Sequence, residues 1–221
     1  MKRPPRLPRF PRLAPAALAC LVIATPALAV RYAESTDGDI SGNRFMPTPL
    51  LLDYDAAGNV PGSNVVSGST GRANGVVDRD YLHVVVPSGF LWSELRVGNQ
   101  TTVGGGGSFI GIAAGSTMPV APEASSAAGL LGYRLYGSAD RNADILAAMG
   151  LPGNGASGFP APLPAGDYTV WIQELADGSF QYRFNFVIAP VSEPSVALLW
   201  GLGFAGLAGV RLRATRSGRR A

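Results

Sequence analysis

The sequence predicts an all-β protein: a single antiparallel β-sandwich flanked by an N-terminal signal helix and a C-terminal transmembrane helix. Short apolar segments alternate with turn clusters that use many of the 29 glycines and 18 prolines among the 221 residues. Regular spacing of short strands and turns is typical of sandwiches and barrels. Helical periodicity is nearly absent in the middle of the chain, whereas both ends carry an apolar run with arginines beside it. The chain therefore divides into residues 1–29, 30–190 and 191–221.

Residues 1–29 have the three parts of a secretory signal peptide. The first twelve residues carry five basic side chains and no acidic one, an apolar run follows over residues 13–24, and Ala27-Leu28-Ala29 supplies an A-x-A cleavage site. We therefore expect cleavage after Ala29, with Val30 as the first residue of the exported domain. A membrane-spanning helix is the alternative, but spanning needs about 20 apolar residues, and this run is shorter and interrupted by proline.

Six apolar segments of the middle region predict strands, over residues 81–86, 91–97, 109–113, 130–136, 168–175 and 180–188. The last is the clearest, because Phe180, Tyr182 and Phe184 alternate with polar residues, which is typical of a strand with one buried face. Asp177-Gly178 before it predicts a hairpin turn that joins the last two strands. Only residues 140–149 predict a helix, with Asp140 as its N-cap.

The charge of the middle region excludes nucleic-acid binding. The whole chain has a formal charge of +3, but between residues 30 and 191 eight arginines stand against fourteen acidic residues, a balance of −6. A nucleic-acid-binding domain needs a basic surface. We therefore predict no nucleic-acid partner. The only cysteine, Cys20, lies in the signal segment, so the exported domain is expected to have no disulfide bond.

Few residues could carry out chemistry. A cysteine hydrolase and a zinc site are excluded, because the exported domain has no cysteine and only His83. His83 lies within a predicted strand, which favours a hydrogen-bonded sheet histidine over a catalytic base. The remaining candidates are aspartate pairs, which could cap their own turns, ligate Ca²⁺ or act in a glycosidase. Turn capping is favoured, and no catalytic residue or cofactor is predicted; Ca²⁺ stays open. The pairs are Asp37/Asp39, Asp53/Asp55 and Asp78/Asp80.

The C-terminal segment, residues 191–221, has three parts. Ser192-Glu193-Pro194 precedes an uncharged apolar run over residues 196–210, and five arginines follow it: Arg211, Arg213, Arg216, Arg219 and Arg220. Fifteen residues of helix span only about 22 Å, which is marginal for a bilayer core of about 30 Å. The helix therefore needs the flanking arginines to snorkel to the interface. Arginines after an apolar run place that end in the cytoplasm, and the middle region outside.

The motif, the apolar helix and the arginine cluster in this order resemble the PEP-CTERM sorting signal of Gram-negative bacteria. Ser192 stands where the first proline of that signal is usual, whereas Glu193 and Pro194 match it. The resemblance implies recognition at the inner membrane by an exosortase, a membrane-embedded cysteine transpeptidase. It also implies that the tail is removed while the protein is sorted to the cell surface or the exopolysaccharide matrix. An ordinary stop-transfer anchor is the alternative.

Three short motifs of the middle region resemble the bacterial pre-peptidase C-terminal domain. They are Glu34-Ser35-Thr36-Asp37-Gly38-Asp39, Asp78-Arg79-Asp80-Tyr81 and Leu163-Pro164-Ala165-Gly166-Asp167-Tyr168-Thr169-Val170. The resemblance implies a jelly-roll-like β-sandwich and a non-catalytic accessory or adhesion module. The chain departs from that family over residues 118–126 and 140–159. In the D-x-D-Y segment, alternation along a strand predicts both carboxylates on one face and Tyr81 on the other.

These observations predict an exported, non-enzymatic protein that is anchored transiently in the inner membrane and sorted by an exosortase to the surface or the exopolysaccharide matrix. It would bind polysaccharide or a neighbouring surface protein. Trp92, Tyr54 and Tyr136 are the aromatic candidates, although their places in or beside strands favour core packing. Two alternatives stay open: a secreted glycan hydrolase that uses paired aspartates such as Asp37 and Asp80, and a calcium-stabilised adhesin.

Overall fold

The chain forms one curled, mostly antiparallel β-sheet in its computed structural model, which describes residues 30–54, 64–105 and 107–191. Within these ranges the strands are β1 (Val30–Ala33), β2 (Thr48–Leu50), β3 (Asn64–Ala73), β4 (Val76–Val86), β5 (Phe90–Val97), β6 (Ser108–Ala114), β7 (Gly132–Tyr136), β8 (Gly166–Gln173) and β9 (Gly178–Pro190). The helical segments are α1 (Glu34–Asp37), a 3₁₀ turn (Ser138–Asp140) and α2 (Leu146–Met149). The predicted all-β class is confirmed.

The strand order is β5-β9-β3-β4-β8-β6-β7, and every neighbouring pair on this path is antiparallel. Two short strands are added in parallel, β1 beside β3 and β2 beside β4. β3 and β4 pair with each other only at the tip of their hairpin, where residues 71–73 face residues 76–78. The turn residues Asn74 and Gly75 both have positive φ, 52° and 79°, as a type I′ hairpin turn requires.

Beyond this tip the two strands separate, and the sheet curls. β3 continues beside β9, and β4 continues beside β8. Apolar side chains from the two halves of the sheet then meet in one core, where Phe184, Phe186 and Ile188 of β9 lie with Val84 of β4 and Ile110 of β6. Burying such a side chain contributes about 1.5–3 kcal/mol, so this core is the main source of stability in a domain without cysteine.

All six predicted strands are confirmed, as β4 to β9. β9 also shows the expected alternation, because Tyr182, Phe184, Phe186 and Ile188 are buried and the residues between them are partly exposed. Sequence reasoning missed β1, β2 and β3. β3 consists mainly of small and polar residues and is buried on both faces over most of its length, so it has no period-two pattern to detect.

Two local predictions are wrong. Asp177-Gly178 does not form a hairpin turn between the last two strands, because β8 pairs with β4 and β6 whereas β9 pairs with β3 and β5. The connection between them crosses from one half of the sheet to the other. The helix over residues 140–149 is also wrong, since only Leu146–Met149 is α-helical. Asp140 accepts hydrogen bonds from the Gly137 N–H and the Arg134 guanidinium, and so closes the turn after β7.

Both ends of the chain lie outside the described residues. They contain the predicted signal helix with its cleavage residues Ala27 and Ala29, the sorting motif, the predicted transmembrane helix and the arginine cluster, and these remain predictions. Among residues 30–54, 64–105 and 107–191, no helix has the length and apolar character needed to cross a membrane.

The crossover from β8 to β9 is fixed by the buried carboxylate of Glu174. Its Oε1 accepts hydrogen bonds from the N–H groups of Leu175 (2.7 Å) and Ala176 (2.9 Å). Its Oε2 accepts from the Gly104 N–H (2.9 Å) and the Ser108 hydroxyl (2.8 Å). Burial raises the pKa of Glu174, but the four hydrogen bonds outweigh it and hold the pKa below its ordinary value. The ionised carboxylate therefore ties the crossover to the loop before β6.

Replacing Glu174 by alanine is expected to destabilise the domain by about 2–4 kcal/mol, because four donors lose a charged acceptor. Urea unfolding measures this change. Glu123→Ala is the control, since its side chain is 79% exposed, and should change stability by less than about 0.5 kcal/mol. The lowered pKa means that the stabilisation by Glu174 is present above the ordinary glutamate pKa and is lost as pH falls through the folded-state value. Equal stability of the two variants would contradict this role.

Candidate metal centre

A cluster of carboxylates lies where β3 and β4 separate. The N-terminal segment follows this gap, since β1 runs along β3 and β2 runs along β4, and residues 34–47 cross between them. Glu34 begins α1 directly after β1. Gly38, with φ 97°, ends α1 and reverses the chain. This reversal brings Asp39 back beside Glu34 and toward Asp80 of β4.

The three carboxylates are close enough to share one cation. One oxygen from each of Glu34, Asp39 and Asp80 lies within 4.8 Å of the other two. Two oxygen ligands on opposite sides of a Ca²⁺ ion are about 5 Å apart, because each Ca–O distance is about 2.3–2.6 Å. Asp39 is exposed and Asp80 is buried, so the cluster extends from solvent into the protein. The spacing fits a hard divalent cation.

Asp80 is the most unusual member of the cluster. It is fully buried, its Oδ2 accepts a hydrogen bond from the Tyr182 hydroxyl at 2.7 Å, and its Oδ1 has no hydrogen-bond partner among the described residues. The pKa of Asp80 is raised to about 9, chiefly by burial and also by the charges of Glu34, Asp78 and Asp39, while the Tyr182 hydrogen bond acts in the opposite direction. Leaving a buried polar atom unpaired costs about 1–3 kcal/mol. A cation would remove that cost.

Glu34 is held against β3 by backbone hydrogen bonds. Its Oε2 accepts from the Ser69 N–H at 2.7 Å and its Oε1 from the Ile40 N–H at 3.3 Å. Burial nevertheless raises its pKa. The close approach depends on Gly68, because a Cβ there would lie 2.5 Å from the Tyr182 hydroxyl oxygen and 2.6 Å from Glu34 Cδ. A glycine in β3 therefore gives Glu34 and Tyr182 room to meet Asp80.

No basic side chain neutralises this cluster in the part of the chain that the structure describes. The ion pairs there join other residues, and none includes Glu34, Asp39 or Asp80. Asp78 adds a further negative charge, and its own pKa is raised by burial and by Asp39. Tyr32 donates a hydrogen bond to the Gly38 carbonyl at 3.0 Å, and this contact fixes the loop without neutralising it. The arrangement can bind a cation.

The structure brings together some of the predicted aspartates and not others. Asp39 and Asp80 meet, although they come from two different predicted pairs. Asp37 instead accepts a hydrogen bond from the Ala33 N–H at 2.7 Å, which is the predicted capping role. The backbone of Asp53 pairs with the Asn64 side chain, and Asp55 lies outside the described residues. Glu34 was missed as a ligand, because a side chain that reaches across a gap between strands leaves no local spacing signal.

Two further predictions agree with the structure. His83 is a sheet histidine whose Nε2 lies 2.9 Å from Asp167 Oδ1. Tyr81 points away from Asp80 and stacks on Trp171, with ring centroids 5.9 Å apart, as alternation along the D-x-D-Y strand predicts.

The three aromatic residues that the sequence offered for ligand binding lie in different surroundings. Trp92 and Tyr136 are buried in the core, where the sequence favoured placing them, and Tyr54 is 45% exposed beside Phe90. Trp92 and Tyr136 therefore cannot serve as a binding surface.

A comparison with protein-family models finds no match, and neither the curated proteins nor the solved structures include one that matches this chain. The resemblances to the PEP-CTERM signal and to the pre-peptidase C-terminal domain therefore remain predictions.

Without divalent cations, the stability of the domain should fall as pH rises between about 4 and about 9. Asp80 has a folded-state pKa of about 9 against an ordinary value of 3.8, so the folded chain keeps a proton that the unfolded chain releases. Its contribution is fully present below the unfolded pKa and is lost as pH rises through the folded pKa. The pKa values of Glu34 and Asp78 are also raised, and both groups act in the same direction.

Thermal unfolding in a chelating buffer, at several pH values across this window, measures the effect. Asp80→Asn removes the main titrating group and should flatten the profile. Asp177→Asn changes an exposed carboxylate and should keep the wild-type slope. A wild-type melting temperature that rises with pH over this window would contradict the assignment.

Proposed function

We propose that this chain is an exported, non-enzymatic protein of the cell surface or the exopolysaccharide matrix, and that its β domain is stabilised by a bound Ca²⁺ ion. The observation that carries the proposal is the buried Asp80 carboxylate, whose Oδ1 has no hydrogen-bond partner among the described residues, beside the carboxylates of Glu34 and Asp39. Buried carboxylates are normally paired or coordinate a metal. A calcium-stabilised surface module combines two of the hypotheses that the sequence left open.

Ca²⁺ fits these ligands better than a transition metal does. The cluster offers carboxylate oxygens only, and hard cations prefer oxygen whereas zinc and copper sites use histidine or cysteine. His83 is engaged with Asp167. Ca²⁺ takes six to eight oxygens, so water and further protein oxygens would complete the shell. Extracellular calcium is available at the concentrations that weak modules of this kind need.

The fold that we propose for the domain is a jelly-roll-like β-sandwich. It is supported by the separation of β3 and β4, because each strand then belongs to a different half of the curled sheet. Side chains from both halves share one core, which includes Phe184 from β9 and Val84 from β4. A bound cation beside Glu34 and Asp80 would join the N-terminal segment to β4 at the point where the halves part.

A non-enzymatic role is supported by the different surroundings of Asp37 and Asp80. A glycosidase needs two carboxyl groups on either side of a bound sugar. Asp80 is fully buried against Tyr182, so it has no surface to offer a polymer, and Asp37 caps α1. The secreted glycan hydrolase is therefore the weaker alternative.

The proposed location rests on the sequence of the two chain ends. A signal peptide ending at Ala29 would start export across the inner membrane, and the Ser192-Glu193-Pro194 motif would present the chain to an exosortase. The apolar run and the arginine cluster would hold the chain in the inner membrane until the tail is removed. The acidic domain would then stay on the outside, at the surface or in the matrix.

Calcium at about 10 mM is expected to raise the melting temperature of the protein by about 3–10 °C. Extracellular calcium modules have dissociation constants of about 10⁻⁴–10⁻³ M, so this concentration stabilises the folded state by about 1.4–2.7 kcal/mol. Each kcal/mol shifts the melting temperature of a domain of this size by about 2–4 °C. Differential scanning calorimetry before and after chelation measures the shift.

Three variants make the calcium experiment specific to this site. Asp80→Asn should remove the shift, and Gly68→Ala should reduce it by displacing Glu34 and Tyr182. Asp177→Asn, which changes an exposed carboxylate elsewhere, should show the full shift. If wild-type protein shows no shift, or if Asp177→Asn loses as much of it as Asp80→Asn, the calcium site is disproved.

Sorting is tested by intact mass spectrometry of the protein recovered from outside a host that has an exosortase. We expect an N-terminus at Val30 and loss of the arginine tail. Glu193→Ala should leave the tail attached and keep the protein in the inner membrane, because the motif is incomplete. Ser195→Ala, just after the motif, should be processed as wild type. Extracellular protein with an intact Arg220-Ala221 end would refute processing.

A further inference from the structure

A row of aromatic side chains crosses the outer face of the sheet, away from the main core. Tyr81, Trp171, Gly111 and Tyr133 are direct neighbours across β4, β8, β6 and β7. Phe109 lies two residues from Gly111 along β6, on the same face, and its ring centroid is 4.7 Å from that of Trp171 and 5.9 Å from that of Tyr133. These rings form a second hydrophobic cluster, in which Tyr81 and Trp171 are buried and Phe109 and Tyr133 are partly exposed.

Gly111 makes this row possible. A Cβ at position 111 would lie 2.9 Å from Phe109 Cζ, so any larger residue would displace the ring. With glycine there, Phe109 lies over the backbone and fills the space between Trp171 and Tyr133. Its ring is nearly parallel to that of Tyr133, at an interplanar angle of 23°. Both side chains are partly exposed, so part of the aromatic surface is open to solvent.

A pocket of about 140 Å³ opens beside this row. Since a water molecule takes up about 30 Å³ of liquid, the pocket holds the equivalent of four or five waters, about the size of one sugar ring. Residues 120–127 of the loop before β7 form one wall. The side chains that matter for recognition are Phe109, Tyr133, Trp171, Gln173, Asn154 and Ser126. Small-molecule sites typically combine such aromatic walls with a few polar groups.

Buried polar atoms in this cluster lack partners. Neither Trp171 Nε1 nor the Tyr81 hydroxyl has a hydrogen-bond partner within the described ranges. Both residues are buried, with at most 4% of their surface exposed. Buried indole N–H and phenol groups are usually bonded. Trp171 also lines the pocket. A ligand in the pocket would therefore lie against a residue whose indole N–H has no acceptor among the described residues.

The polar side chains that line the pocket are two amides and a hydroxyl, from Gln173, Asn154 and Ser126, and a charged pair lies next to them. Gln173 Oε1 accepts a hydrogen bond from Arg79 Nε at 3.2 Å, and the Arg79 guanidinium lies 3.9 Å from Glu123 Oε1. The backbone carbonyl of Asn154 accepts from the Ser126 hydroxyl at 3.0 Å, and its side-chain amide donates to the Ser125 carbonyl at 3.5 Å. Amides and hydroxyls at the edge of aromatic rings suit a ligand that has an apolar face and a hydroxyl-bearing edge. A pyranose ring has this chemistry.

We propose that this pocket binds one neutral pyranose unit of a polysaccharide, with its apolar face against Phe109 and Tyr133 and its hydroxyls toward Gln173 and Asn154. A neutral unit is favoured over a uronic acid, because the exported domain has a balance of −6 and Arg79 is already paired with Glu123. The inference rests on the proposed function, since it names the polymer that a surface or matrix protein would hold.

The test is titration calorimetry of the full chain, purified in detergent with Ca²⁺ present, against three kinds of oligosaccharide. Neutral probes from β-glucan and from mannan are compared with polyguluronate oligomers. We expect binding of at least one neutral probe and no binding of polyguluronate. Tyr133→Ala should weaken the binding about tenfold or more, because it removes a stacking surface.

Two further variants separate ligand binding from folding. Ala124→Phe adds a side chain at an exposed position of the pocket wall and should block binding while leaving the aromatic row intact. Leu135→Ala is the matched control for Tyr133→Ala. Leu135 lies on β7, the strand that carries Tyr133, but it is 61% exposed and does not line the pocket. Melting curves confirm that each variant is folded. If Ala124→Phe binds as tightly as wild type, or Leu135→Ala weakens binding as much as Tyr133→Ala, the site is wrong.

The outcome also distinguishes this inference from the proposed function. A protein that is exported and stabilised by Ca²⁺ but binds neither neutral probe overturns the sugar site and leaves the proposed function in place. Preferential binding of polyguluronate overturns the neutral class. Neutral-sugar binding that depends on Tyr133, without any response to Ca²⁺, supports the pocket while removing the calcium site.

Discussion

The short pairing between β3 and β4 constrains the rest of the domain. Because the strands part just beyond the Asn74-Gly75 turn, each takes a different partner, and the two halves of the sheet can close over one core. The parting also leaves backbone donors that need new acceptors. The N-terminal segment supplies them, since the Ser69 N–H donates to Glu34 and the Tyr81 N–H donates to the Ser41 carbonyl. The Glu34 carboxylate therefore lies in the gap because it accepts a backbone hydrogen bond of β3, whether or not an ion is bound.

Two buried carboxylates of this domain show how surroundings decide their roles. Glu174 receives four hydrogen bonds and its pKa is lowered, whereas Asp80 receives one from Tyr182 and its pKa is raised. Glu174 lies near the end of a segment that was predicted as a strand, and Asp80 directly precedes the start of another. Both oxygens of Glu174 accept hydrogen bonds, but Asp80 has one oxygen without a partner among the described residues, beside the carboxylates of Glu34 and Asp39. Only the second arrangement gains from an added positive charge.

The sequence predicted the strands with strong alternation and missed those whose pattern depends on tertiary packing. β9 could be identified because one face is buried, while β3 could not, since the fold buries both of its faces. The pairing of β8 and β9 was mispredicted, because the crossover held by Glu174 has the composition of a hairpin turn. Of the metal centre, Asp39 and Asp80 were predicted only as members of separate pairs. Their meeting with Glu34 depends on where β3 and β4 part, which no local spacing encodes.

The direction of the chain at its C-terminal end has a consequence for how the molecule would stand on a membrane. The Val191 N–H donates to the Gly89 carbonyl at 2.8 Å, so the last described residue is fastened just past the end of β4 at Val86. Arg79, which donates a hydrogen bond to Gln173 of the aromatic pocket, lies seven residues and about 23 Å back along that strand. A tether leaving at Val191 would hold the domain with its hairpin tip outward. A polymer bound near the hairpin tip would then lie away from the lipid headgroups. Polymer binding and membrane anchoring would not interfere with each other.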